Sequence, residues 1–595
     1  MSEVRLIDIM TVFLVRGLTV LYTVAVVWLS LYSLQALFFS LVFGRRARTQ
    51  PTPAAPASWP TVTVQLPIFN ERHVGRRLLA AVASLDYPHH ALHIQVLDDS
   101  TDDTTSLLQT EVRRLQARGL QVKYLHRDDR RGYKAGALAA GLEQTEADFV
   151  AIFDADFVPT PDFLKRTLPF LLADPHLGFV QTRWAHLNAT YSGLTGAQAL
   201  ALDGHFVIEQ TARQQLGAFI SFNGTAGIWR RACIEAAGGW QADTLCEDLD
   251  LSYRAQLQGW RGVYRPDIAV PAELPPQLLA FKRQQFRWAK GSVQTLRKLG
   301  RRVAQGASLT APGGQPASLS YKTRLLGLLH LSGYLVHPLM LLVLLLSLPM
   351  LWLGQTTQAT LGLFGLASLG PPLLFALAQR HLYADQSGGW LRRFAYFPGL
   401  MLLGIGLTLN CTQAVIEGLT GRGGAFQRTP KFHVKQQADA WTDSAYALHL
   451  DWTTVGEIVL ALYALTAVVV AVLRHNLGAA PFLALYALAF GSTAAVGIWQ
   501  AGRIHRRAAA PACPPRLARR LTHRRRAPRP RSRLRRDDTP RQTLPSRRVT
   551  AGTLGPRACF PRSTSSGQEA GPTGTLVAPA AGTNGRKETG AGGGM

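Results

Sequence analysis

The chain has 595 residues, more than a single hydrophobic core usually organises, and its formal net charge is +27. Residues 502–595 contain 21 of its 64 Lys and Arg residues but only 4 of its 37 Asp and Glu residues, a net charge of +17. Most of the positive charge therefore falls outside the region predicted to fold. Nucleic acid is accordingly not expected as a partner. Five dispersed cysteines argue against a disulfide-stapled secreted scaffold.

The first predicted element is a membrane span. Residues 18–43 contain no charged side chain over 26 positions, which is long enough to cross a hydrocarbon core about 30 Å thick. No signal-peptide cleavage pattern follows them, so the segment 1–44 is predicted to be a retained anchor. Arg45, Arg46 and Arg48 come next, and the positive-inside rule then places the following segment in the cytoplasm.

Residues 45–300 are predicted to form a cytosolic α/β domain with a mostly parallel, Rossmann-like sheet, because strand and helix signals alternate along them. Strands are predicted at 61–71, 92–104, 119–127 and 149–156, with helices at 74–84 and 104–118. Two of these strands run into acidic pairs, Asp98 with Asp99 and Asp154 with Asp156. Ligands bind beyond the carboxyl ends of parallel strands, so we expect the two pairs to converge on one site.

Asp154 and Asp156 are the predicted metal ligands. Two carboxylates at i and i+2 on an extended segment can both turn toward Mg²⁺ or Mn²⁺, which completes its shell with water and phosphate oxygens. Such a site would suit a nucleoside diphosphate, and no G-x-G-x-x-G follows the first strand to bind one through a glycine loop. The alternative is an Asp pair that only caps the turn after the strand.

Further candidate residues follow in chain order. Lys134 lies in a glycine-flanked loop, where its charge could meet a phosphate or remain solvated. Gly224 either lets the backbone approach a ligand closely or marks a simple turn, and Trp229 is expected near that ligand. Glu247 and Asp248 begin a predicted helix, either as residues favoured by the helix dipole or as a general base that the helix presents.

The segment F-K-R-Q-Q-F-R-W-A-K-G-S at 281–292 places Gln284, Arg287 and Trp288 on one helical stripe. The Arg287 guanidinium could bind phosphate in a bidentate manner, and the Trp288 indole could support a sugar ring. An ordinary belt of Arg and Trp beside the membrane is the alternative.

After a linker at 301–324, residues 325–501 are predicted to form a second membrane region. Its apolar blocks lie at 325–352, 359–379, 394–418, 454–474 and 479–501. Arginines after the last block place the chain end in the cytoplasm, which requires an even number of crossings in this region. The block 394–418 contains Asn410, Gln413 and Glu417 and is therefore interpreted as interfacial or re-entrant, which leaves five spans in the whole chain.

Two segments near the C-terminus are predicted to be cytosolic. The loop 421–435 would lie beside the cytosolic α/β domain. The Pro-, Gly- and Arg-rich residues 502–595 are predicted to be a disordered tail, either a tether to anionic membrane lipid or a segment without specific function.

Four motifs in this order resemble the inverting family-2 glycosyltransferases of the cellulose synthase-like superfamily. They are D-D-S at 98–100, D-x-D at 154–156, the E-D of a T-E-D motif at 247–248, and Q-x-x-R-W at 284–288. The phrases Q-L-P-I-F-N-E, V-L-D-D-S-T-D-D, G-Y-K-A-G-A-L and F-N-G-T-A-G-I-W-R look most like the cellulose synthase-like A group, the glucomannan and mannan synthases, and its bacterial relatives. The chain departs from the pattern at Cys246, where the T-E-D motif has Thr.

The resemblance implies a GT-A fold and donor-binding roles at the matching positions. Asp98 or Asp99 would contact the nucleoside. Asp154 and Asp156 would bind the diphosphate and the Mg²⁺ or Mn²⁺ ion, with Lys134 assisting at the phosphates.

The same resemblance implies the remaining roles. Asp248, with Glu247 beside it, would be the catalytic base. Arg287 would hold the leaving diphosphate, and Trp288 and Gln284 would lie at the acceptor sugar. Gly224 and Thr225 would contact substrate, and the loop 427–431 would gate the nucleotide pocket.

The function implied is a processive, membrane-embedded β-glycosyltransferase of the inner or plasma membrane. It would transfer hexosyl units from GDP-mannose, UDP-glucose or both to a growing mannan, glucomannan or glucan and export the product. Tyr334, His337, Trp352 and Trp452 are candidate pore residues, unless they are ordinary membrane-belt aromatics. Two alternatives remain open: a non-processive enzyme acting on a lipid acceptor, and a membrane transporter that senses nucleotide sugars.

Overall fold

The computed structural model describes residues 2–46, 51–306, 319–354, 367–386, 388–421, 428–434, 439, 441–442, 446–448 and 450–508. Most of the predicted tail, the middle of the linker and residues 422–427 and 435 of the predicted cytosolic loop 421–435 lie outside the described residues. Of the predicted gating loop 427–431, residues 428–431 are described.

A seven-stranded mixed sheet organises the central domain, with the strand order β3-β2-β1-β4-β6-β5-β7. The strands are β1 (Val62–Ile68), β2 (Leu92–Asp98), β3 (Gln121–His126), β4 (Phe149–Ile152), β5 (Leu177–His186), β6 (Gly227–Arg230) and β7 (Arg261–Ala272). All pairings are parallel except those that β6 makes with β4 and β5. The predicted GT-A-like α/β fold with a mostly parallel sheet is confirmed.

Helices cover both faces of this sheet. They are α2 (Gly75–Val82), α3 (Thr104–Ala117), α4 (Tyr133–Glu143), α5 (Phe163–Ala173), α6 (Gly193–Asp203), α7 (Gln210–Gln215), α8 (Arg231–Ala236) and α9 (Glu247–Leu257). In β4, Phe149 and Ala151 belong to one hydrophobic cluster, while Val150 and Ile152 belong to another. Side chains alternate along a strand, so the sheet is buried on both faces and its ligands can only meet it at an edge.

The residues 221–231 differ from the sequence-based expectation. Their second half forms β6, an antiparallel strand too short to show a period of two in the sequence. Trp229, expected near a ligand, is fully buried, with its ring 4.5 Å from that of Phe179 and 5.1 Å from that of Phe222. Its indole therefore belongs to the core of the domain.

Parallel pairing brings three loops to the same edge. Ile68 at the end of β1 is in register with Asp98 at the end of β2, and Gln65 of β1 is in register with Ile152, the last residue of β4. The segments that follow these strands contain Glu71, Asp99 and the pair Asp154/Asp156. The convergence predicted from the sequence is therefore present in the fold.

A 28-residue helix, α10 (Leu278–Gln305), connects the domain to the predicted membrane region. Its apolar residues Leu278, Phe281 and Ala289 cluster with residues of the helices that follow it in the chain. Its lysines make ion pairs in the same direction: Lys282 Nζ lies 2.5 Å from Glu457 Oε1, and Lys290 Nζ lies 2.8 Å from Glu417 Oε2. α10 is thus held by the membrane region as well as by the sheet domain.

The remaining described helices are largely apolar. They are α1 (Ser2–Arg46), which precedes the domain, and α11 (Tyr321–Leu331), α12 (Val336–Trp352), α13 (Gly370–Tyr383), α14 (Gly389–Phe394), α15 (Phe397–Gly406), α16 (Thr408–Thr420), α17 (Thr453–Leu473) and α18 (Ala480–Ala508), which follow it.

Within the described residues, four segments are long and apolar enough to cross a membrane: Val12–Gly44, Gly333–Trp352, Thr453–Leu473 and Ala480–Arg506. They coincide with four of the five predicted spans, although the second begins later than predicted, because α11 is a separate helix. The fifth predicted span, 359–379, lies partly outside the described residues, and its described part is the 14-residue helix α13.

The block interpreted as re-entrant is bent. Gly389–Gly406 and Thr408–Thr420 meet at 46°, and together they would make a fifth crossing if they form one broken span. The number of crossings stays a prediction.

Candidate active site

A cavity lies at the carboxyl edge of β1, β2 and β4, and the start of α9 and the first half of α10 close its other side. Ten of the twelve site residues predicted from the sequence line it: Asp99, Lys134, Asp154, Asp156, Gly224, Glu247, Asp248, Gln284, Arg287 and Trp288. Residues from six separate segments of the chain therefore face one space.

Asp98 and Thr225 were predicted to contact substrate, but neither lines the cavity. Asp98 is fully buried and accepts hydrogen bonds from Ser100 N at 3.0 Å and Tyr124 Oη at 2.6 Å. Thr225 is also fully buried, and its Oγ1 accepts a hydrogen bond from Asp154 N at 2.9 Å. Both side chains are buried and already hydrogen-bonded inside the core, so neither can contact a ligand. Each instead supports a loop that carries a cavity-lining acid.

Asp99, which follows Asp98 in the chain, does line the cavity. Arg127 binds it in a bidentate manner, with Nε 2.8 Å from Oδ1 and Nη2 2.6 Å from Oδ2. This geometry fixes the carboxylate in one orientation.

The cavity has two acidic regions, one at the strand edge with Asp154 and one at the start of α9 with Glu247. Lys134 lies between them and contacts both. Its Nζ lies 2.7 Å from Asp154 Oδ1 and 3.7 Å from Glu247 Oε1, and it donates a hydrogen bond to Gly224 O at 2.9 Å. Burial lowers the pKa of Lys134, but the charges of Asp154 and Glu247 outweigh it and raise that pKa above its usual value. The lysine is therefore a permanent cation between the strand edge and α9.

Asp156 is paired with a residue from far along the chain. Lys431 Nζ lies 2.6 Å from Asp156 Oδ2 and donates a second hydrogen bond to Glu273 O at 3.0 Å. The segment 428–434 is also held at Arg428, whose Nη1 lies 3.1 Å from Glu71 Oε1. This segment contains the described part of the predicted gating loop, and it lies over the acidic edge of the cavity.

Asp248 lies in the first turn of α9, where its Oδ1 accepts a hydrogen bond from Leu249 N at 2.8 Å. Burial, followed by the charge of Glu247, raises the pKa of Asp248 from 3.8 to about 7, although Lys134 acts in the opposite direction. Gly224, with φ of +80°, passes close beneath it, and a Cβ there would come within 2.9 Å of Asp248 Oδ2. The site thus contains a half-buried carboxyl whose pKa is raised to near neutrality.

The Q-x-x-R-W residues are on α10, as predicted, and they face the same cavity as Asp248. The ring of Trp288 lies 6.5 Å from that of Trp184 on β5, so the cavity has an aromatic wall on this side. Aromatic faces of this kind suit the apolar face of a sugar ring.

The donor set at the strand edge fits a hard divalent cation. Among the described residues, no group of three or more His, Cys, Asp and Glu side chains gathers closely enough to hold a metal ion on its own. Asp154 and Asp156 offer two carboxylates, and Mg²⁺ or Mn²⁺ is commonly held by one or two carboxylates plus phosphate oxygens. The residues present therefore fit an ion that shares its ligands with a bound diphosphate.

Comparison with known proteins places the domain. Residues 60–291 match the model of the family described as glycosyltransferase like family 2. These residues are therefore similar to the family 2 glycosyltransferases. The chain is 44% identical over 260 residues to the probable glucomannan 4-beta-mannosyltransferase 9 of Oryza sativa subsp. japonica, which covers 43% of this chain and 49% of that protein. It is 45% identical over 247 residues to the glucomannan 4-beta-mannosyltransferase 2 of Arabidopsis thaliana, which covers 41% and 46%.

The chain spans about half the length of the curated relatives it matches. Among solved structures, it is similar to a mannosyltransferase, PcManGT, from Pyrobaculum calidifontis in complex with GDP-Man and Mn²⁺. That similarity has a TM-score of 0.47 at 20% identity and covers 68% of this chain and 100% of the other.

The sheet domain also brings residues to the cavity that the sequence did not single out. Glu71 follows β1, and burial raises its pKa to about 8 despite the charge of Arg428. Arg130 lies over the ring of Phe69, with 3.3 Å between its Cζ and the ring centroid. A position just after a strand, like that of Asp154, is the signal that could have identified Glu71.

His186 of the sheet domain also lines the cavity. It ends β5, and its Nε2 lies 2.9 Å from Asp203 Oδ1, with both side chains nearly buried. The partner is on α6, and nothing in the local sequence around His186 indicates this pair.

Proposed function

We propose that the chain is an inverting glycosyltransferase that transfers hexosyl units from a nucleotide sugar to a β-linked polysaccharide. One observation carries the proposal: a half-buried carboxyl with a pKa raised to about 7, Asp248, faces the same cavity as the acids Asp154 and Asp156 and the Arg287 guanidinium. This combination supplies a proton acceptor and a binding site for a leaving diphosphate within one space.

Asp248 is the proposed general base. Its carboxylate takes the proton from an acceptor hydroxyl while that oxygen attacks the anomeric carbon from the side opposite the diphosphate. The bond from this carbon to the diphosphate oxygen breaks, and the electron pair leaves with the diphosphate. One displacement inverts the anomeric centre, so an α-linked donor yields a β-linkage.

The leaving group is bound by cations of the chain. Arg287 and Lys134 are proposed to bind the diphosphate oxygens and to stabilise the charge that develops on them. Asp154 and Asp156 are the residues that would hold Mg²⁺ or Mn²⁺, which when bound neutralises part of the diphosphate charge. Trp288 would support the acceptor sugar beside Asp248.

The proposed donor is GDP-mannose, with UDP-glucose as the second candidate. The names of the related glucomannan 4-beta-mannosyltransferases support a mannosyl donor and a 1,4-linked polysaccharide acceptor. Asp99 and Glu71, which follow β2 and β1, are the acids proposed to lie near the nucleoside.

We further propose that the enzyme is a multi-pass membrane protein with a cytoplasmic domain and that it extends its product processively. A second cavity continues from Arg287 between α10 and α16, and polar side chains line it together with Trp452: Lys282, Asn410, Gln413 and Glu417. Such a lining suits a sugar chain and supports a path from the active site toward the membrane. Of the other candidate pore residues, His337 lines a separate cavity among the apolar helices, and Tyr334 donates a hydrogen bond to Gln285 Oε1 at 3.1 Å.

The test is to incubate membranes containing the full chain with labelled GDP-mannose or UDP-glucose and to digest the product with linkage-specific hydrolases. We expect a polymer that grows with time and is cut by a β-1,4-mannanase. A product that stops after one sugar on a lipid would favour the non-processive alternative. Donor binding without any transfer, in the presence of a mannan acceptor and Mn²⁺, would favour the sensor.

A further inference from the structure

The second half of α10 contacts the irregular segment that leads into α9. Leu245 N donates a hydrogen bond to Gln294 Oε1 at 2.9 Å. Lys298 Nζ lies 2.8 Å from Asp243 Oδ2 and 2.9 Å from Asp250 Oδ1. Leu245 and Asp243 lie three and five residues before Asp248, and Asp250 lies in the same first turn of α9 as Asp248.

The contacts form one continuous stripe with the cavity-lining residues of the same helix. Arg287, Gly291, Gln294 and Lys298 follow one another at intervals of four, three and four residues, the spacing that keeps side chains on one face of an α-helix. Arg287 faces the cavity, and the next two members face the segment before α9. A single rigid helix therefore carries both groups.

Gly291 lets this segment pack directly on α10. A Cβ at position 291 would come within 2.7 Å of the backbone nitrogen of Cys246, a distance that forces one of the two elements to shift. The Cys246 thiol also donates weakly toward Arg287 O, with 3.9 Å between Sγ and the oxygen. The start of α9 thus packs on the turn of α10 that carries Arg287.

The start of α9 has little support of its own. Cys246 is its N-cap residue, and it makes no side-chain hydrogen bond to the first turn. Cysteine is a poor substitute for the Ser, Thr, Asp or Asn side chains that usually fix a helix N-terminus. The carboxyl group of Asp248, in the turn after this cap, therefore depends on α10 for its position.

We infer that Gln294 and Lys298 are positioning residues that hold Asp248 at a fixed distance from Arg287, so that the base and the leaving-group site move as one unit. The inference rests on the proposed function. It adds two residues that touch neither donor nor acceptor but determine the geometry of the reaction, because a displacement of about 1 Å in a reacting group can lower a rate about 100-fold.

Gln294→Met and Gln294→Glu in the full-length protein test this inference. Methionine keeps the length of the side chain but cannot accept the Leu245 N–H bond, whereas glutamate retains an acceptor oxygen. For Gln294→Met we expect kcat to fall about 10- to 100-fold with the donor KM within about twofold of wild type. Gln294→Glu should remain within about threefold of wild-type kcat. Arg301→Met, on the exposed side of the same helix, is the matched control and should leave both constants unchanged.

A purely structural role would give a different pattern. It would lower the thermal midpoint and the fraction of protein that binds GDP, with kcat per binding site unchanged, and this result would overturn the inference. Equal loss in Gln294→Met and Gln294→Glu would also overturn it. If Gln294→Met does not fold, Lys298→Met against Lys298→Arg gives the same comparison, with loss of kcat expected in Lys298→Met alone.

The proposed function fails separately. Full turnover in Asp248→Asn would show that Asp248 is not the base. The proposed glycosyl-transfer mechanism would then be wrong. An inactive Asp248→Asn together with a fully active Gln294→Met would remove only the positioning role.

Discussion

The two acidic regions of the cavity differ in how their charge is balanced. At the strand edge, Asp99, Asp154 and Asp156 each have a Lys or Arg nitrogen within 2.8 Å. At the start of α9, Asp248 accepts a backbone hydrogen bond, and its nearest cation, Lys134, is already bound to Asp154. The Lys- and Arg-paired carboxylates of the first region suit ligand binding, and the raised pKa of Asp248 in the second region suits proton transfer.

The largest expected effect comes from removing the base alone. Asp248→Asn keeps the shape of the side chain but abolishes its basicity, and we expect turnover to fall by about 10²–10⁴-fold. Binding of GDP, measured by calorimetry on the purified protein, should stay within about threefold because the strand edge is intact. A variant with normal turnover would show that both acidic regions serve binding.

Asp156→Asn tests the other region and should have the opposite profile. Loss of one charged ligand is expected to raise the donor KM about 10- to 100-fold and to increase the Mn²⁺ concentration needed for half-maximal rate. Asp162→Asn is the matched control, since Asp162 lies in the loop after the same strand but is half exposed and pairs with Arg166. Equal effects of the two substitutions would remove the distinction between the strand edge and the surface.

The pH dependence sharpens the comparison. Because the base must be ionised, kcat/KM of the wild type should fall as the pH drops through about 7. Glu247→Gln removes the neighbouring negative charge that helps to raise the pKa of Asp248, so the acidic limb of its normalised profile should move to lower pH. A limb that stays in place would mean that Asp248 does not control it.

The smallest expected effect is on stability. The pKa of Asp248 is raised in the folded state, so the folded protein loses stability as the pH rises from about 4 to about 7 and this carboxyl ionises. Asp248→Asn should therefore raise the thermal midpoint at pH 8, by about 2–4 °C for each kcal/mol of relief, and change it little at pH 4. Differential scanning fluorimetry at the two pH values measures this. A lower midpoint at pH 8 would contradict the raised pKa.

The strand-edge acids could be predicted from the sequence because each lies one to four residues beyond a recognisable strand. Asp248 and Arg287 could also be predicted, because the helices that carry them show an amphipathic pattern. Which member of the pair Asp98 and Asp99 faces the cavity was not predictable, because consecutive side chains at a strand end point to opposite sides and the direction depends on the packing beneath them. Asp98 faces the core and Asp99 faces the cavity.

Contacts between distant segments were beyond the sequence. Lys431 reaches Asp156 from 275 positions along the chain, and no local pattern specifies that pairing. The brevity of β6 likewise concealed the antiparallel strand that buries Trp229. The order of the motifs indicated that they share a site, but only the fold gives the partners that set their charge.

The ion pairs Lys282–Glu457 and Lys290–Glu417 join α10 to the apolar helices that follow it. They therefore affect where the sheet domain can be cut from the rest of the chain. A soluble fragment cut after residue 306 would keep every strand and every cavity acid of the sheet domain. It would nevertheless bring Lys282 and Lys290, now 3% and 1% exposed, to the surface without Glu457 and Glu417, together with the apolar face around Phe281. Truncated versions are therefore expected to aggregate, and work on the isolated enzyme calls for detergent or nanodiscs with the C-terminal helices retained.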